Sequence, residues 1–127
     1  MQEFKLYEYA VIRALPKVER EEFFNVGLIL FSKKEKYIHA DYFLDKEKLK
    51  CFFSEENLED LETNLKSFLN IAKGEKCGGK ISILEIPERF RWLNAVRSSC
   101  IQTSRPHVGL SKDLDKTFER LFEEMVK

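Results

Sequence analysis

The chain has 127 residues, of which 43% are hydrophobic and 35% charged, enough for one compact domain with a packed core and too few for two ordinary domains. With only 5 Gly and 3 Pro, the composition excludes disordered, collagen-like and linker-dominated proteins. Lys plus Arg and Asp plus Glu number 22 each, so the chain lacks the overall positive field that non-specific nucleic-acid binders use. We therefore expect a single domain over residues 1–127 that does not bind nucleic acid.

Three strands are predicted in the first third of the chain. From Tyr7 to Leu15, apolar residues occupy both alternating faces, which is typical of an interior strand covered on both sides. A charged loop after Pro16 leads to a β-branched and aromatic run from Phe23 to Ser32, and a polar turn leads to a third strand from Tyr37 to Leu44. Short connections between consecutive strands indicate an antiparallel meander.

The pattern then changes to a helical period. The segment from Lys46 to Phe53 predicts a short helical turn, and Ser54 is a candidate N-cap for a long helix whose apolar residues recur at helical spacing until Gly74. Pro87, at a first helical position, predicts another short helix.

The last third of the chain predicts a returning strand and a closing helix. The run from Cys100 to Ser104 has β-branched character, and Ser111 is the predicted N-cap of a C-terminal helix with one apolar stripe. Together these elements predict an α+β fold. In it, an antiparallel sheet of about four strands, a meander plus a returning strand, has helices packed on one face.

The cysteines and the apolar runs limit the compartment and the cofactors. Cys51, Cys77 and Cys100 are widely spaced with no C-x-x-C pair, and the chain has two His, so no metal site and no cofactor is predicted. Free thiols are expected instead, with Cys51 and Cys100 filling the core. The N-terminus does not resemble a secretion signal and no run approaches the ~20 apolar residues of a membrane span, so we expect a cytoplasmic protein without a membrane partner.

Arg13 interrupts an otherwise apolar strand face. If the first two strands pair across their loop, Asn25 lies opposite Arg13 and Gly27 lies opposite Val11. An arginine inside a sheet is costly without a carboxylate partner, so we predict an ion pair with the acidic loop that contains Glu19, Glu21 and Glu22. The alternatives for this loop are a solvated surface or a metal or catalytic role for its carboxylates.

A second polar group lies between Glu88 and Gly109. From residue 85 to 110 there are four Arg against two Glu, whereas residues 45–62 carry seven acids against three Lys. Arg97 suits bidentate contact with phosphate or carboxylate, Ser98 adds a neutral hydrogen bond, and His107 precedes a predicted helix N-terminus. These residues predict either an anion or partner site or a structural network at the strand ends.

The geometry of the returning strand decides between a compact and an extended site. A bend at Arg105–Pro106 would return His107 to the sheet face of Arg13, as a shared anion site requires. A continuous edge strand would separate Arg97 from His107 and favour an extended protein-binding surface. We predict the bend.

Two long motifs resemble one known family. The run Tyr7–Arg13, with Glu19–Phe23 and Asn25–Gly27, and the run Glu88–Leu93, with Arg97–Ser98, Ile101–Ser104 and His107–Leu110, are similar to the bacterial domain of unknown function 3037 family. The resemblance implies a small cytoplasmic bacterial protein with no established catalytic residues, and a HipA-like kinase as a candidate partner. It also implies one binding cluster: Arg13, Glu21, Glu22, Asn25, Arg97, Ser98, Gln102 and His107.

Two hypotheses for function follow. The first is a non-enzymatic binding or regulatory module that acts on a protein partner through the groove or edge between Arg97 and His107. The alternative is a phosphate- or nucleotide-binding enzyme in which Arg13, Arg97 and His107 hold a phosphate and Glu21 or Glu22 acts as base. Convergence of these residues on a solvent-filled concavity favours the enzyme, and dry mutual pairing favours the binding module.

Overall fold

The computed structural model describes residues 4–15, 23–73, 85, 88, 90, 91, 93 and 101–126. Its strands and longer helices are, in chain order, β1 (Lys5–Ala14), β2 (Phe24–Ser32), β3 (Tyr37–Tyr42), α1 (Lys46–Leu49), α2 (Glu55–Lys73), β4 (Ile101–Thr103), β5 (His107–Ser111) and α3 (Leu114–Met125). Glu88, Phe90, Arg91 and Leu93 are helical as well, in agreement with the predicted short helix after Pro87.

The five strands that the structure describes belong to one antiparallel sheet. The order is β3-β2-β1-β4, and β5 pairs with β1 beyond β4 on the same edge. The first three strands form the predicted meander, and β4 returns from the last third of the chain to pair with β1. The predicted α+β fold with an antiparallel sheet is therefore confirmed.

The sheet is covered on both faces because β1 carries apolar residues on both. Ala10 and Ile12 face the larger core, built with α2, whereas Tyr7 and Val11 face a second core, built with α3. Ile12 is fully buried. The prediction that the helices pack on one face is therefore wrong, because α2 and α3 lie on opposite faces of the sheet.

The starts of the two long helices agree only partly with the sequence. Ser54 is the N-cap of α2 as predicted, and its Oγ accepts a hydrogen bond from Asn57 N at 3.1 Å. For α3 the prediction is wrong, because Asp113 is the N-cap and Ser111 is the last residue of β5. The Ser111 hydroxyl is buried and hydrogen-bonds Thr117 Oγ1, so it fixes α3 against the strand instead of capping it.

The predicted core position of Cys51 is wrong. This residue lies in the turn after α1, where its thiol is exposed and free. Cys77 and Cys100 lie outside the described residues. Within the described ranges, no group of three or more His, Cys, Asp or Glu side chains is placed to hold a metal ion. No helix in the same ranges is long and apolar enough to cross a membrane.

Candidate functional site

Three residues of the predicted cluster form one row across the sheet, which we call the Arg13 row: Asn25, Arg13 and Gln102. Arg13 on β1 pairs with Asn25 on β2 and with Gln102 on β4. Directly opposed residues of antiparallel strands share a face, with Cβ atoms roughly 5 Å apart. A guanidinium is therefore flanked on both sides by a carboxamide, on the α3 face of the sheet.

A β-bulge in β2 sets this register. The pairing of Arg13 with Asn25 agrees with the prediction, but Gly27 faces Ile12 and not Val11, because Val26 is an extra residue between the two pairs. Close packing explains a glycine at position 27. An added Cβ would lie 2.7 Å from the Asp41 carbonyl oxygen and 3.0 Å from Ile12 Cδ1.

The guanidinium of Arg13 is only partly satisfied. Its Nε is buried and has no hydrogen-bond acceptor. The central carbon of the guanidinium lies 4.1 Å from the ring centroid of Phe23, a cation–π contact, and Phe23 itself is 46% exposed. A buried donor without an acceptor costs about 1–3 kcal/mol, and more when charged, so an acceptor at this Nε would remove an unfavourable contribution to the free energy of the folded protein.

Four members of the predicted cluster cannot be placed. Glu21, Glu22, Arg97 and Ser98 lie outside the described residues, so the predicted ion pair between Arg13 and the acidic loop stays a prediction. Among the residues that are described, no carboxylate pairs with Arg13.

His107 lies apart from the Arg13 row. It pairs with Tyr9, and the two rings contact each other with centroids 5.2 Å apart. Tyr9 is four residues before Arg13 on β1, which places His107 about 13 Å along the strand at ~3.3 Å per residue. The chain does not return at Arg105–Pro106, so the predicted bend is wrong: β4 and β5 continue along the same edge of β1.

Ser104 holds the junction of β4 and β5, a role that its position at a predicted strand end does not indicate. Its backbone N–H donates to the Val11 carbonyl, and its Oγ accepts from Val11 N at 2.9 Å. Val11 and Tyr9 are two residues apart on β1, whereas the residues that they pair with, Ser104 and His107, are three residues apart, so the β4–β5 edge contains one extra residue. This extra residue turns the Ser104 backbone carbonyl away from Val11, and the Ser104 hydroxyl accepts the hydrogen bond from the Val11 N–H instead.

Another concavity lies between α1 and α2, away from the predicted cluster. It has a volume of about 320 Å³ and a charged lining. Both lysines of the lining are paired with carboxylates: Lys46 lies 3.5 Å from Glu62, and Lys50 lies 3.0 Å from Glu47. Among the described residues, the lining of this groove therefore holds no unpaired cation comparable to Arg13.

Comparison with known proteins identifies the family. A family model described as "Protein of unknown function (DUF3037)" matches residues 9–126. The chain belongs to the DUF3037 family. The DUF3037 match confirms the resemblance seen in the sequence and includes the Arg13 row, the β4–β5 edge and α3. Comparisons with curated proteins and with solved structures found no match.

Proposed function

We propose that this DUF3037 protein is a non-enzymatic binding module whose Arg13 row receives a carboxylate group of a protein partner. One observation carries the proposal: the buried Nε of Arg13 has no acceptor, although the residue lies between two carboxamides. A guanidinium presents its N–H groups as a planar fork that matches a carboxylate. The amides of Asn25 and Gln102 add donors on either side of that fork.

The charge of the row favours a carboxylate over a phosphate. Arg13 is the only cation in the described row, and His107 lies about 13 Å along the strand. One guanidinium neutralises a singly charged carboxylate, whereas a phosphate group carries up to two charges at neutral pH. The alternative of a phosphate- or nucleotide-binding enzyme therefore has less support.

The surroundings of the row favour a protein over a small free acid. Phe23, next to Arg13, and Phe43, which lines a cavity of about 130 Å³ with Asn25, are each 46% exposed. Aromatic side chains and arginine are enriched in protein–protein interfaces and among their hot spots. We propose an acidic side chain or a terminal carboxylate next to an apolar residue as the group bound.

A HipA-like kinase, suggested by the family resemblance, is the first partner to test. We also propose that the complex forms in the bacterial cytoplasm. The exposed free thiol of Cys51 is compatible with a reducing compartment, where thiols persist.

Side-chain NMR tests the carboxylate site directly. Sodium acetate, added to the ¹⁵N-labelled protein, should shift the Arg13 Nε–H signal and the amide signals of Asn25 and Gln102 in a saturable way. Sodium chloride at equal ionic strength should not. The exposed amide of Asn57 is an internal control.

Three results would count against the proposal. Insensitivity to acetate would refute an open site, and a stronger response to inorganic phosphate would favour the enzyme hypothesis. A response that appears only after Glu21→Gln or Glu22→Gln would show that the loop carboxylate fills the site.

Binding of a HipA-like kinase tests the partner. Arg13→Gln should raise the Kd of the complex about tenfold or more, equivalent to 1.4 kcal/mol, while the control Arg120→Gln, at an exposed position, should leave the Kd unchanged.

A further inference from the structure

In the part of the chain that the structure describes, β5 forms one edge of the sheet. We infer that two copies of the chain pair through β5 in antiparallel orientation, with a two-fold axis at Gly109. This surface is distinct from that of the proposed function. The exposed aliphatic side chains of β5, Val108 and Leu110, lie on the α2 face of the sheet, and the Arg13 row lies on the α3 face.

Hydrogen bonds at both edges of β1 establish which backbone groups of β5 point away from β1. Val11 uses its N–H and its carbonyl toward Ser104, whereas the Leu6 carbonyl accepts from Ser32 Oγ on β2. The backbone N–H and carbonyl groups of successive residues point to alternate edges of a strand. In β1 these groups therefore point toward β5 at odd-numbered residues and toward β2 at even-numbered residues. Gly109, opposite Tyr7, therefore bonds β1.

It follows that Val108 and Leu110 direct their backbone N–H and carbonyl groups outward. Within the part of the chain that the structure describes, β5 pairs with β1 and with no other strand. The outer edge thus presents two donors and two acceptors in a row, which is the template that an added strand needs.

The side chains at the same positions are apolar and exposed. Val108 is 65% exposed and Leu110 is 62% exposed, and their neighbours Leu6 and Phe4 are 53% and 61% exposed. Natural edge strands are commonly protected by charged residues or proline, but both outward-facing residues of β5 are aliphatic. Such an unprotected apolar edge is typical of an interface.

A second copy fits this edge because the edge is self-complementary. Two-fold pairing about Gly109 places Val108 opposite Leu110 of the other copy, and Leu110 opposite Val108, so four backbone hydrogen bonds form. The Leu6 side chain, next to Leu110, extends the apolar contact. The glycines form a non-hydrogen-bonded pair, in which the Cα atoms approach to about 4.5 Å.

The ends of β5 limit the length of the paired segment, and the two-fold symmetry limits the assembly to a dimer. Pro106 has no N–H before the strand, and Asp113 caps α3 after it, so the paired segment is short. Arg105 and Asp113 lie four residues on either side of Gly109, and the two-fold axis brings these opposite charges toward each other. Two-fold pairing uses the same β5 edge of both copies, so this contact is closed with two copies.

Amide hydrogen exchange combined with sedimentation equilibrium tests the dimer. At high protein concentration the Val108 and Leu110 amides should be protected, and on dilution to monomer they should exchange fast. The Gly109 amide, bonded to β1, should be protected at both concentrations. Leu110→Lys should weaken dimerisation about tenfold or more, equivalent to 1.4 kcal/mol. Phe52→Lys is the control, since Phe52 is similarly exposed (52%) outside this edge.

Leu110→Pro adds a test of the backbone contacts. It removes the outward N–H of residue 110, which makes no hydrogen bond to β1, and should therefore also weaken the dimer. A monomer at every concentration would overturn the inference. A dimer whose Val108 and Leu110 amides stay unprotected would also overturn it. If the Val108 and Leu110 amides are protected only when a peptide from another protein is present, the strand that pairs with β5 comes from another protein and the inferred dimer is wrong.

Discussion

Replacing Ser104 by alanine tests the account of the β4–β5 junction. The serine is 6% exposed, and its Oγ is the acceptor for the buried Val11 N–H. Alanine removes the acceptor and leaves the amide in place, where water has little access. An unsatisfied buried donor costs about 1–3 kcal/mol, so we expect the free energy of unfolding to fall by about 2 kcal/mol.

The same change can be expressed as a melting temperature. At about 2.1 cal/mol/K per residue, 127 residues give an unfolding entropy of about 0.27 kcal/mol/K. A loss of about 2 kcal/mol then lowers Tm by about 7 °C. Urea denaturation measures the free energy, and thermal melting followed by circular dichroism measures Tm.

Two further measurements separate the junction from a general effect of serine removal. Ser67 is exposed on α2, and Ser67→Ala should leave stability unchanged or slightly higher, because alanine favours helix. In Ser104→Ala the Val11 amide should also exchange faster with solvent relative to global unfolding. If Ser104→Ala is as stable as Ser67→Ala, or if Val11 exchange is unchanged, the Ser104 hydroxyl does not hold the junction.

Two other predictions concern the sheet and its contact with α3. Burial and the hydrogen bond to Asp115 raise the pKa of Tyr37, so its stabilising contribution is complete below the unfolded pKa of about 10 and is lost as pH rises toward the folded value. Tyr37→Phe should therefore flatten the alkaline decrease of the urea midpoint, and equal slopes would contradict this. Gly27→Ala should lower the unfolding free energy by about 1–3 kcal/mol, because the new Cβ meets the Asp41 backbone; an unchanged midpoint would show that the bulge yields.

The first four strands of the fold are readable from local pattern, and the fifth strand is not. β1, β2 and β3 alternate or run apolar for six to ten residues, so period and composition agree. β5 has five residues, one of them Gly109, and ends in Ser111, a residue that equally suits a helix cap. The alternation of Val108 and Leu110 was the available signal, but it is too short to exclude a loop.

The site divides in the same way between local and long-range information. The pairing of Arg13 with Asn25 depends on one loop between consecutive strands, so it could be predicted. Gln102 joins them only because β4 returns to the other edge of β1, which no local pattern encodes. Gly27 inside an apolar strand does indicate a bulge, and that signal would have corrected its partner to Ile12.

The central position of β1 determines the order in which the parts of the sheet can fold. One edge of β1 is completed by its sequence neighbour β2, but the other waits for residues 101–111, and the Tyr7 and Val11 face waits for α3. During synthesis the N-terminal segments emerge first, and sheets closed by such distant segments fold slowly. The nascent meander thus exposes an open strand edge and an apolar face, which makes chaperone protection most valuable before α3 leaves the ribosome.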